Sequence, residues 1–234
     1  IPLTSGPVRV DDQPDPRNAL DAFGTRSRVL APLAESLARQ FRRLIADEQN
    51  EVLAAIRRNE RVAGIDELLP AEEAHLERYH SAAQAELADA FAAGAASLGG
   101  VVSTDTLAVN EAMVARLAED LILPMRERLE RVIESSEGNR FELSAFVRSS
   151  YREWKQRFDS LAEELLLLGY GWGAYSVLPA GSLVVWQADP ACPTCAEVEA
   201  NTGVVTRVPD AFPSGHQFPP ATRGCRCLIQ RLPE

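Results

Sequence analysis

The sequence predicts a mainly α-helical protein, in which long amphipathic helices form an elongated helical body followed by a small, cysteine-stapled, zinc-ribbon-like α+β unit at the C-terminal side. Three observations predict it. Apolar residues recur every three or four positions from about residue 25 to residue 168, the period of a helix with one buried face. All 4 cysteines of the 234-residue chain lie between residues 192 and 227. Seven of the 15 prolines fall in residues 182–234, where the helical period stops. The implied division is an extended N-terminal arm (1–24), a helical domain (25–178) and a cysteine- and proline-rich domain (179–234).

The arm holds Pro2, Pro7, Pro14 and Pro16 beside Asp11 and Asp12, a composition that buries too little apolar surface to fold alone. A first helix carries Leu30, Leu33, Leu37, Phe41, Leu44, Val52 and Ile56 on one face and ends near Asn59. A second starts at Pro70, with Glu72 and Glu73 at its positive dipole end, and stops at Gly99-Gly100. Ser103 or Thr104 can cap a third, along Leu107, Val114, Leu117, Leu121, Leu129 and Val132, in which Pro124 demands a kink or a break. Asn139 caps a fourth, with Leu143, Phe146, Trp154, Phe158, Leu161, Leu165 and Leu168 on one side. Strands are expected at Leu183–Trp186, Val204–Val208 and Leu228–Arg231.

Charge and motifs exclude several functions. The formal net charge is −10, of which −9 lies outside residues 182–234, so the chain is no general DNA-coating protein. Local DNA contact is left to the arginine groups Arg39, Arg42, Arg43 and Arg57, Arg58, Arg61, whose alternative reading is a solvated face with ion-pair partners. Residues 165–188 carry no charge, but Pro179 and Gly181 divide them, so a buried helix end and strand are expected rather than a membrane span. His75-Leu-Glu77 with Cys192-Pro-Thr-Cys195 evokes a zinc deaminase. The residue before Cys192 is Ala191 rather than proline, however, and the histidine lies on a distant helix, so His75 and His80 are read as solvated or boundary residues and no catalytic residue is assigned. Ile1 is not a methionine and no signal-peptide pattern follows it, so the chain is expected to be a processed or internal piece.

The cysteines are spaced Cys192-x-x-Cys195, then 29 residues, then Cys225-x-Cys227. A CxxC turn points two sulfurs at one spot, and a second close pair completes a tetrahedral zinc site; His216 is a candidate substitute ligand. Two disulfides, bridging one pair to the other, are the alternative of equal weight.

Taken in order, Trp186, Asp189, Cys192-Pro-Thr-Cys195, the Asn201-Thr-Gly203 turn and the approach Phe218-Pro-Pro-Ala-Thr-Arg-Gly to Cys225-Arg-Cys227 closely resemble the end of the phage Mu F-like head morphogenesis family. These are minor head proteins of tailed bacteriophages. The resemblance covers about 50 residues. Family members commonly carry a histidine three positions before the first cysteine of CRC; here that position is Thr222, with His216 six residues upstream of it. The resemblance implies a virion component in several copies at the portal vertex, made in the host cytoplasm during assembly and bound to the portal or major capsid protein. In that setting Trp186 is expected to brace the knob, Asp189 to cap the CxxC turn through backbone amides, and Arg226 to pair with Asp189 or with a partner carboxylate. Two other functions stay open: a virion-delivered enzyme, which needs a domain beyond the cysteine unit, and a zinc-ribbon adaptor for a host protein.

Overall fold

The structure is a computed structural model and describes residues 8–9, 16–101, 107–192 and 195–233. It is mainly helical, with one small antiparallel sheet. The N-terminal segment contributes the two-residue strand β1 (Val8–Arg9) and then enters α1 (Pro16–Arg58), so residues 1–24 are not simply an extended arm. The reason is Pro16: its fixed φ suits the first helical position, where no amide donor is needed. Pro32 lies inside α1, which continues past it at the cost of one backbone bond.

Helix α2 (Glu72–Ser97) opens with Glu72 and Glu73. It closes as expected at Gly99, whose φ of 78° places it in the left-handed region, with Gly100 N–H bonding Ala95 O at 3.0 Å and Gly99 N–H bonding Ala96 O at 3.0 Å. The expected caps Ser103 and Thr104 lie outside the described residues. The break at Pro124 takes a specific form: α3 (Leu107–Leu117) passes through a π-helical turn, Ala118–Ile122, into α4 (Leu123–Ser135). Widening the turn accommodates the missing proline donor and the ring's clash with the preceding carbonyls. Asn139 Oδ1 then accepts the Phe141 N–H at 2.9 Å, capping the 37-residue α5 (Arg140–Ser176).

The chain forms two compact units, and three of their boundaries, at 33/34, 85/86 and 162/163, fall within helices. One comprises Ala34–Ala85 and Leu107–Ala162. Its core holds Leu37, Phe41, Ile45, Tyr79, Leu121, Leu129, Val147 and Phe158. The Phe41 ring lies 5.7 Å from Tyr79 and 5.6 Å from Phe158, centre to centre. At its middle is a buried carboxylate. Glu48, 1% exposed, lies 2.8 Å from His75 Nε2 and accepts from the Tyr79 hydroxyl at 3.2 Å and the Tyr151 hydroxyl at 2.8 Å. His75 and His80 are therefore buried rather than solvated, at 0% and 6% exposure; for His75 the Glu48 carboxylate offsets the cost of burying a polar ring. Of the arginines weighed for DNA contact, Arg42 pairs with Asp159 and Arg61 with Glu137.

The other unit comprises residues 1–33, 86–106 and 163–234. Within it α2 and α5 touch backbone to backbone: a Cβ on Gly173 would stand 1.9 Å from the Phe91 carbonyl oxygen, and one on Gly94 would stand 2.0 Å from that of Tyr170. In the uncharged Gly-Tyr-Gly-Trp-Gly run, Gly173 thus serves close helix packing, while a Cβ on Gly171 would stand 2.0 Å from the Pro219 carbonyl oxygen. Among the described residues no helix is long and apolar enough to cross a membrane.

Beyond α5 come β2 (Leu183–Gln187), the short helix α6 (Ala196–Asn201), β3 (Val204–Arg207) and β4 (Leu228–Arg231), close to the expected strands. The sheet order is β1-β3-β2-β4, all antiparallel, with Val185 opposite both Val205 and Gln230. Val184, Trp186, Val204, Val208, Phe212 and Ile229 pack into a core that also takes Cys225 and Cys227.

Candidate metal centre

Two turns bring the cysteines together. After β2 the chain bends at Asp189, whose Oδ1 accepts the Ala191 N–H at 2.8 Å while its carbonyl accepts the Cys192 N–H at 2.8 Å. The side chain caps this turn as an Asx residue, as expected. The second turn runs into β4, with Cys225 N–H bonding Thr222 O at 3.1 Å and Gly224 at φ 74°. The result places the sulfurs of Cys192, Cys225 and Cys227 within 4.8 Å of one another. All four cysteines are free thiols; Cys225 and Cys227 are buried, and Cys192 and Cys195 are half-buried.

The surroundings favour negative charge on one sulfur, that of Cys225, and disfavour it on the other two. The Arg226 N–H donates to Cys192 Sγ at 3.3 Å. A hydrogen bond from the Cys227 thiol, with further help from the amides of Cys227 and Ala221, pulls Cys225 down to about 5 against the effect of burial. Cys227, as that donor and as a buried group, is pushed above the ordinary thiol value. Burial is the main cause of the upward shift at Cys192. A metal ion that takes all three sulfurs displaces the protons they hold. Three clustered cysteines of this kind could hold a metal ion.

The other expected site residues stand as follows. Cys195 is not gathered with the trio: its sulfur accepts the Val198 N–H at 3.4 Å, capping α6, and lies 3.6 Å from the Thr222 hydroxyl. His216 is also elsewhere, its Nδ1 2.9 Å from Ser214 Oγ, in a turn fixed by Asn201 through bonds of 2.7 and 3.0 Å to Ser214. Trp186, 1% exposed, packs edge to face on Phe212 at 5.1 Å. Its buried indole N–H makes no hydrogen bond of normal geometry, and it lies close enough to Cys227 to favour the thiolate there. Arg226 does not pair with Asp189. Its guanidinium bonds Glu163 instead, so Glu163 is not a plain exposed acid.

The partner of Asp189 is Arg26, a residue the sequence reading missed. From α1 its guanidinium donates to Arg226 O at 2.8 Å, to Cys227 O at 3.1 Å and to Asp189 Oδ2 at 3.2 Å, at 3% exposure. Burial lowers its pKa, which Asp189 partly restores. One cation thus ties together both turns that carry the trio. Nothing in the local pattern distinguishes Arg26 from its neighbours; the only hint is its place one helical turn after Phe23, whose ring it covers at 5.3 Å. Comparison with protein-family models, with curated proteins and with solved structures found no match for this chain.

Proposed function

We propose that the chain is a structural minor head protein of a tailed bacteriophage, bound at the portal vertex in several copies and acting in head assembly or DNA delivery rather than in catalysis. The observation that carries the reading is the ordered set Trp186, Asp189, Cys192, Cys195, Cys225 and Cys227 in one small unit. In it the tryptophan fills the core, the aspartate caps the first cysteine turn and three of the sulfurs converge. A small core of this kind gains most from a staple. Zinc is the ion that best suits it, because thiolates select zinc among the common divalent ions and a structural zinc contributes directly to folding. The helices bury their apolar faces in the chain's own core, so the portal or major capsid protein meets their polar faces, and the excess negative charge keeps DNA contact local.

The test is co-purification. Antibody against the chain should detect it in assembled, nuclease-treated particles, in fixed ratio to the portal protein. Recovery only outside particles overturns the reading. Zinc near one per chain, with at least three thiols that react only after chelation, supports the staple. Four unreactive sulfurs without metal support disulfides instead.

A further inference from the structure

We infer that the zinc is held by three thiolates, those of Cys192, Cys225 and Cys227, with its fourth position left to an exchangeable ligand such as water, and that Cys195 is a helix cap rather than a ligand. This rests on the zinc staple proposed above. It departs from the four-cysteine site that the CxxC…CxC spacing suggests.

Distances between sulfurs carry the argument. Four sulfurs about 2.3 Å from a tetrahedral zinc stand about 3.8 Å from each other. Cys192 and Cys227, which come from different turns, already stand 3.8 Å apart, and Cys225 lies within 4.8 Å of both. Three corners of a tetrahedron are thus close to their liganded spacing. Cys195 does not share that spacing. Its backbone is extended, at φ −141° and ψ 158°, as an N-cap requires, and its sulfur takes the Val198 amide at the head of α6. Moving it to the metal would expose that amide and break the contact with Thr222. No histidine replaces it, since His216 is held by Ser214 and no imidazole joins the trio among the described residues. Three protein ligands with one open corner are the arrangement of zinc sites that exchange a ligand, whereas purely structural sites are closed by four.

The experiment uses the whole chain loaded with cobalt(II), whose near-ultraviolet sulfur-to-metal absorption scales with the number of bound thiolates. Serine is a better N-cap than cysteine, so Cys195→Ser should keep α6 and the fold, with unchanged far-ultraviolet circular dichroism. The expected result is the same charge-transfer intensity per cobalt as the unmodified chain, and zinc affinity within about tenfold, the low end of an outer-shell change. Cys192→Ser and Cys225→Ser should each weaken zinc by more than about a hundredfold, beyond the outer-shell range. Added imidazole should shift the visible cobalt bands of both the unmodified chain and Cys195→Ser by occupying the open corner. If the absorption falls by about a quarter in Cys195→Ser, one sulfur of four, the inference is overturned while the zinc staple stands. If the unmodified chain binds neither cobalt nor zinc, both are overturned.

Discussion

Replacing Arg26 with alanine should loosen the cysteine unit more than any other single surface-to-core polar change in it. The guanidinium satisfies two carbonyls, those of Arg226 and Cys227, and one carboxylate, Asp189, at distances of 2.8 to 3.2 Å. Removing one member of a buried ion pair costs about 3–5 kcal/mol, because the remaining charge is left uncompensated. Asp189 keeps its Ala191 amide and 14% side-chain exposure, which favours the lower end, about 3 kcal/mol. For a chain of this size that is a fall in Tm of about 6–12 °C. Urea and thermal unfolding followed by circular dichroism measure it. Asp189→Asn alone should cost less, since its hydrogen-bonding shape survives, and the double variant should show a coupling of about 1–3 kcal/mol rather than additivity. On the proposed zinc staple, zinc affinity should fall about 10–100-fold in Arg26→Ala, because both carbonyls belong to the segment that carries two of the three clustered sulfurs. A loss below about 1 kcal/mol, the value of an exposed pair, would refute the reasoning.

Two further predictions use other parts of the molecule. Gly173→Ala should cost about 1–3 kcal/mol by forcing the Phe91 carbonyl away, whereas Gly24→Ala, whose Cβ meets nothing within 4 Å, should stabilise α1 by about 0.5–1 kcal/mol; denaturant midpoints compare them. Tyr79 and Tyr151 are both pushed well above the ordinary value of 10.0, first by burial and then by the Glu48 charge. The folded state then holds protons that the unfolded state has lost, so stability is fully present below pH 10 and falls above it, by up to about 1.4 kcal/mol per pH unit for each tyrosine. Alkaline unfolding should flatten in the Tyr79→Phe, Tyr151→Phe double variant; an unchanged alkaline slope would show that the two phenols do not carry it.

Helices and strands were readable because their signals are local. The three C-terminal strands lie within a residue of their expected limits, and Asn139 and Gly99 act as the cap and stop that their side chains, or lack of one, favour. Polar partners were less readable. Glu48 follows Phe41 and Ile45 and precedes Val52 on the buried face of α1, so a carboxylate in an apolar stripe was the available signal for a buried hub. Its donors on α2 and α5 could not be named from that spacing. Asp189 shows the same limit: the turn it caps is two residues away and was expected, while its cation is 163 residues away and was not. At the cysteines, spacing located the cluster but treated all four alike. The extended cap conformation of Cys195 separates it from the others, and that depends on where α6 begins.

The clamp by Arg26 also sets an order of events during synthesis. Arg26 leaves the ribosome 200 residues before the carbonyl of Arg226 that it binds. At about 5–20 residues per second the wait is about 10–40 seconds. All of the unit formed by residues 34–85 and 107–162 emerges in that interval, so its helices can assemble while the first turns of α1 still lack the sheet and sulfurs they will hold. Closure of the cysteine unit is therefore a late step, which waits for Arg226 and Cys227 to emerge long after the Arg26 that clamps them.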